Sequence, residues 1–205
     1  MPTFGKKKEM KMRQMRKVGR MLPTAEAYEI LERAPYVTVS MVRPDGRPYG
    51  VPLSLVRGRG DVFYFHCAGE GEKLDCLRHN PVVALSAVSR CTPRFEEDKK
   101  NFTMYYRSAM AVGRAEIVEG GEEKVEALRL ICERFLPQHM DEFDAAIDRS
   151  LSRTTIVKIT LTEPPVGKSK HAEAQMDITH EDMSQCAMRS DDGEIVQLGL
   201  DSCGD

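Results

Sequence analysis

No apolar run in the 205-residue chain approaches the ~20 residues that carry a helix across a bilayer. Its basic start is followed by no apolar signal-peptide core, so a cytoplasmic protein is expected. Cysteine is sparse. Cys67, Cys76, Cys91, Cys132, Cys186 and Cys203 are too few and too irregular for a disulfide scaffold, and reduced thiols are expected. There is no C-x-x-C pair, and adjacent His66 and Cys67 on a strand would point to opposite faces, which argues against zinc. No G-x-G-x-x-G follows a strand, and neither a P-loop nor a G-x-S-x-G elbow is present, which removes the common nucleotide and hydrolase motifs. No long Ser/Gly/Pro linker divides the chain, so one core with appended ends is expected.

The formal net charge of −2 conceals a polarised chain. Residues 1–22 hold eight Lys or Arg against one acid, Glu9, whereas residues 171–205 hold nine Asp or Glu against one base, Arg189. We therefore divide the chain into a basic arm (1–22), a core domain (23–170) and an acidic extension (171–205). A basic arm can bind nucleic acid or an acidic surface, but an acidic tail of nearly equal magnitude could neutralise it within a dimer. Nucleic acid and membrane are accordingly not expected as partners. Salt-sensitive DNA association that depends on residues 1–22 would mark the rival, an interaction protein working through its charged ends. The alternating stretch Glu194–Leu200 beside Gly193 reads as an extra hairpin.

Thr24 suits the N-cap of a helix over 25–33, with acids early and Arg33 late. Pro35 stops it. A strand over 36–42, a turn at Pro44-Asp-Gly-Arg47 and a second strand over 49–56 make a hairpin. Strands follow over 62–65 and 82–88, separated by a short helix that Asn80-Pro81 ends. Residues 89–101 read as a polar loop, and 102–118 as a long strand with a bulge or bend at Gly113. A helix opens at Gly120-Gly121 and buries Val125, Leu128, Ile131, Cys132 and Phe135. A second helical segment runs from Pro137 through Phe143, Ala146 and Ile147, and 154–162 closes the domain as a strand. Hairpin-linked strands with late helices predict an α+β fold, mainly β: a small antiparallel barrel.

The segment from Asp61 to His79 carries the candidate chemistry. It is an aromatic strand, a Gly-punctuated loop and a short helix with Lys73 in its first turn. A cation there opposes the helix dipole unless an anion such as a phosphate sits between it and the free N–H groups. A solvated surface lysine is the alternative. His66 titrates near ~6.5 when unperturbed and suits proton handling at cellular pH; equally, it could be a histidine that only fixes the loop.

Several of these pieces occur together in a known order. Tyr49-Gly-Val-Pro-Leu-Ser-Leu55, Phe63-Tyr-Phe-His-Cys-Ala68, Glu70-Gly-Glu-Lys73-Leu74, Asn80-Pro81, Tyr106-Arg-Ser-Ala-Met-Ala-Val-Gly-Arg-Ala-Glu116 and Gly167-Lys-Ser-Lys170 resemble the split-barrel flavoproteins related to pyridoxamine 5'-phosphate oxidase, in their nitroimidazole-resistance (Nim-type) branch. The resemblance covers about residues 28–170. It implies six-stranded split barrels paired in a homodimer, with FMN at the interface, ahead of FAD. It implies that the flavin ring lies along the backbone of Val51, Pro52, Leu53 and Ser54, bordered by His66, Cys67 and Ala68. Lys73 would pair with the phosphate, Ser108 would add a hydroxyl, and strand alternation would bring Tyr106 to the side of Ser108, leaving Tyr105 and Arg107 on the other. His66 is then the catalytic candidate.

The implied activity is that of an FMN-dependent oxidoreductase, reduced by a nicotinamide or other donor and oxidised by a small acceptor, nitroimidazole-type compounds among them. Pyridoxamine phosphate oxidation itself is not expected, because the family's arginine-rich substrate site falls where this chain turns acidic after Lys170. Haem is the alternative cofactor for such a fold, with His66, His79, His139, His171 and His180 as possible ligands. A flavin- or haem-binding protein without turnover is the alternative function.

Overall fold

The computed structural model describes residues 14–170. Residues 1–13 and 171–205, which hold much of the basic arm and all of the acidic extension with its expected hairpin, lie outside them. A 3-10 turn (Val18–Arg20) leads to β1 (Met21–Leu22) and α1 (Thr24–Arg33), followed by β2 (Val37–Val42), β3 (Pro48–Leu53), β4 (Val56–Arg57) and β5 (Val62–Ala68). Next come α2 (Glu72–His79), β6 (Val82–Glu96), β7 (Asn101–Val118), α3 (Gly121–Phe135), α4 (Phe143–Ser150), β8 (Thr154–Leu161) and β9 (Val166–Lys170). Every strand pair is antiparallel, in the order β3-β2-β6-β7-β8-β5-β4, with β9 on β7 and β1 on β9.

The ends of that order explain the barrel. β3 and β4 are the two outermost strands of the path, yet only Ser54 and Leu55 separate them in sequence. Three peptide links span at most about 11 Å, so the sheet must curl until its ends meet. A two-residue connection closes it there, not a hydrogen-bonded ladder. The result is a split barrel, as the sequence predicts, with short β1, β4 and β9 added to six principal strands.

Two apolar clusters fill the fold. Inward residues Val37, Val39 and Met41 of β2 meet Val83 and Leu85 of β6, Phe63 and Phe65 of β5, and Ile30 and Leu31 of α1. Tyr64, on the opposite face of β5, joins Ile156 of β8 and the α3 residues Ala127, Leu128 and Ile131 in the second. That α3 face agrees with the expected spacing. The Tyr64 hydroxyl donates to Glu123 at 2.8 Å, and Lys158 pairs with the same carboxylate at 2.9 Å, so α3 is pinned across β5 and β8.

Five local readings change. Thr24 is the first helical residue rather than the cap; the Pro23 carbonyl accepts from the N–H groups of Glu26 and Ala27, and no side chain caps α1. The strand expected over 49–56 breaks at Ser54, because Val56 pairs with Tyr64 on the far end of the sheet. Residues 89–96 are not a loop: β6 continues to Glu96 opposite β7. A register shift between Val88 and Arg90 resets the side-chain alternation, which is why the strand pattern seems to end at Val88. Beyond the bulge the hairpin is an exposed ribbon, with the rings of Phe95 and Phe102 4.7 Å apart near its tip. Gly167 to Lys170 belongs to a pairing strand, so β9 and not β8 is the last strand described.

Gly113 makes neither bulge nor bend, since its register with Val83 and Leu161 is unbroken. It allows a close approach instead. A Cβ there would lie 2.6 Å from Ile159 Cγ2 and 3.0 Å from the Thr160 carbonyl oxygen, and the latter is backbone that cannot swing aside. Gly113→Ala is therefore expected to cost about 1–3 kcal/mol. For a domain of this size each kcal/mol lowers Tm by roughly 2–4 °C; a thermal melt that matches the parent chain would contradict this packing.

Candidate functional site

The hairpin β2–β3 offers one wall. Arg43 N–H donates to the Arg47 carbonyl at 2.9 Å, which makes these residues a bonded pair. Bonded and non-bonded pairs alternate in an antiparallel ladder, so Tyr49, Val51 and Leu53 bond to β2, while Pro48, Gly50 and Pro52 turn their backbone groups to the free edge. Both prolines thus stand where the ladder requires no N–H. The side chains of Val51 and Leu53 pack on the main core, Pro52 is exposed on the opposite face, and the Ser54 hydroxyl donates to the Pro35 carbonyl at 3.2 Å.

Among the described residues, the helices that contact β2, β6 and β7 lie on the core side, and this opposite face carries none of them. Cross-strand partners share a face, and the register aligns Pro52 with Thr38, Ser86 and Met110 in one row, Gly50 with Ser40, Ala84 and Val112 in the next. Ser108 lies beside Val88 and Lys168, and Tyr106 beside Lys170. Val88 and Met110, 56% and 53% exposed, leave an uncovered apolar strip along this surface. Pro52, Ser108 and Tyr106 are therefore on one sheet face, and Arg107 is on the other, paired with Glu26 of α1.

Tyr106 has company that the sequence does not reveal. The Lys168 ammonium sits 5.6 Å from its ring centre. Burial pushes the phenol up, but Lys168 and Arg20, acting on its oxygen, outweigh burial and hold its pKa below the ordinary value. Lys168 falls within the Gly167–Lys170 motif, so that motif was the available signal; nothing local marks Arg20.

His66, Cys67, Ala68 and Lys73 form a second group at the end of β5. Gly71, at φ +129, occupies a backbone region that favours glycine and turns the chain into α2. No side chain caps that helix. Glu72 is taken by Arg43 at the end of β2, so Lys73 is left with no carboxylate at ion-pair distance among the described residues. Its ammonium lies 5.5 Å from the Phe65 ring centre. Desolvation first, and the Lys73 charge second, hold the His66 imidazole below its ordinary pKa. Burial pushes the Cys67 thiol up despite the same lysine. Cys67 packs on the core and His66 is exposed, on opposite faces as alternation requires. The structure thus gathers the candidates into two groups, the sheet face and the β5–α2 corner.

The comparison with protein families decides the identity: the model described as pyridoxamine 5'-phosphate oxidase matches residues 23–166. The chain belongs to the pyridoxamine 5'-phosphate oxidase family. No curated protein matches the sequence significantly. Solved structures with this family's barrel include a candidate 5-nitroimidazole antibiotic resistance protein from Bacteroides thetaiotaomicron, at 23% identity and TM-score 0.62, covering 73% of this chain and 86% of that one. A flavocytochrome from Azotobacter vinelandii is similar at 20% identity and TM-score 0.64 over 85% of this chain and 79% of that one. An FAD- and haem-binding protein from Mycobacterium smegmatis matches at 23% identity and TM-score 0.62, over 80% and 78%. At these identities the likeness is one of fold. No helix among the described residues is long and apolar enough to cross a membrane.

The His66 titration tests the β5–α2 corner. Protonating His66 costs more in the folded chain than in the unfolded one, so this residue lowers stability as pH falls through the ordinary histidine range and contributes nothing above it. Lys73→Met is expected to raise the His66 pKa towards its ordinary value, leaving the desolvation part in place. An NMR titration in which the pKa stays put or falls would separate the two residues.

Proposed function

We propose that this family member binds FMN and acts as a flavin-dependent oxidoreductase towards a small acceptor. The observation that carries the reading is Lys73: a cation in the first turn of an uncapped helix, with no carboxylate partner among the described residues, where a phosphate would satisfy both charge and dipole. The sheet face fits the rest of the group. Ser40, Ala84, Ser86 and Thr38 with Gly50 give a face of small side chains with room for a planar ring, and at Gly50 and Pro52, beside Val51, Leu53 and Ser54, the backbone turns to the free edge of β3. Ser108 and Tyr106 would supply hydroxyls from that face, and His66, Cys67 and Ala68 would border the ring.

When bound, FMN would supply two-electron chemistry between a nicotinamide or other donor and the acceptor. The protein's part is to hold and protonate. Lys73 would fix the phosphate by a charge-assisted bond. His66 rests neutral at cellular pH because both its neighbours' desolvation and Lys73 disfavour the cation; open to solvent on one side, it would pass a proton from water to the reduced acceptor. Nitroimidazoles are the first acceptors to test, on the strength of the Nim-type motifs and the likeness to the Bacteroides protein.

The uncovered strip of Val42, Val82, Val88 and Met110 supports a homodimer, in which a second copy would seal the sheet face and help enclose the cofactor. We place the protein in the cytoplasm. Haem is the second reading: two of the similar structures are described as flavocytochrome and as FAD- and haem-binding, and a neutral, exposed His66 is a competent ligand.

Lys73→Ala is expected to weaken FMN binding by about 1.5–3 kcal/mol, read by quenching of flavin fluorescence. Equal affinity would remove Lys73 from the site. His66→Ala should leave FMN affinity nearly unchanged and slow nitro-compound reduction roughly 100-fold, whereas turnover equal to that of the parent chain would make the histidine structural.

A further inference from the structure

The α1-covered side of the ribbon holds positive charge that nothing described neutralises. Arg107 of β7 is the cross-strand partner of Arg90 on β6 and of Ser169 on β9, which sets the three residues in one row. Partners across antiparallel strands project to the same face, and the Arg107–Glu26 ion pair identifies it as the face beneath α1. Arg107 has its acceptor there. Arg90 has none: its Nη1 is buried without a hydrogen-bond partner, and no carboxylate lies at ion-pair distance from it among the described residues. On the other flank Ser169 is only 7% exposed, and its hydroxyl is likewise unpartnered.

Arg90 is half-buried and keeps part of its guanidinium in solvent, but its Nη1 is turned inward without an acceptor, and a buried charged donor costs more to leave unpaired than a serine hydroxyl does. One carboxylate, Glu26, faces two arginines. The start of α1 adds free N–H groups, since no side chain caps it. Two strand spacings put Arg90 and Ser169 about 10 Å apart at the backbone, a gap that an extended guanidinium and one bridging group can close.

We propose that Arg90, Arg107 and Ser169, at the uncapped start of α1, form a binding site for a small oxyanion, the carboxylate or phosphate group of a small molecule. Arg90 binds it through paired N–H groups, Ser169 donates its hydroxyl, and Arg107 stays on Glu26 and supplies field. The site occupies the opposite sheet face from Tyr106 and Ser108, so it stands whether or not the flavin reading holds.

The test is calorimetric titration of the full chain with inorganic phosphate and with acetate, in a Lys73→Ala background so that an anion at the start of α2 does not contribute. Binding of either anion is expected, and the stronger one names the group. Arg90→Met should weaken it roughly tenfold or more, without lowering Tm in anion-free buffer, because an uncompensated charge has been removed. Ser169→Ala should weaken it by a smaller factor and carries the test if Arg90→Met does not fold. Failure of both anions to bind, or affinity unchanged in the variants that fold, would overturn the proposal.

Discussion

The fold depends on one strand being paired along both edges. β7 keeps β6 beside it from Asn101 to Arg114, while its other edge is divided: the end towards Val118 holds β8 and the middle holds β9. Because β8 leads on to β5 and β4, and β6 leads on to β2 and β3, the barrel and its seam radiate from β7. Gly113 stands at the change-over, close against Ile159 and Thr160, and a side chain there would push β8 away from β7.

The same arrangement decides what the two faces can do. Near the junction one face is roofed by α1 and filled with aliphatic side chains, so its odd-numbered residues meet Glu26 and Ala27. The other keeps small residues and an uncovered strip, and presents Ser108 and Tyr106 beside Lys168. The candidate residues therefore concentrate where the barrel is not sealed: along the free edge of β3, on the sheet face away from α1, and at the corner where β5 hands over to α2. A lysine at that corner is unfavourable in isolation, and the proposed cofactor phosphate would offset that cost.

Much of this was legible because it is local. The turn at Pro44-Asp-Gly-Arg47, the α3 face and Lys73 in a first helical turn follow from neighbours a few residues apart. What escaped depends on distant partners. Val56 continues the β3 pattern in sequence, and only its pairing with Tyr64 carries it to the other end of the sheet. Ser89 breaks a period, and a broken period is indistinguishable from a loop until β7 is seen opposite. Gly113 matters because of Ile159. For the site, residue types and order gave the candidates, but the separation into a sheet-face group and a β5–α2 group, and the approach of Arg20 to Tyr106, are properties of register and not of motif.

The central claim is that the β5–α2 corner and the bare sheet face together hold FMN. The most direct measurement is the absorption spectrum of the purified, FMN-supplemented protein, followed by mass spectrometry of whatever denaturation releases. The account predicts flavin bands and the mass of FMN. A strong Soret band with haem in the released fraction, or no retained chromophore, would contradict it.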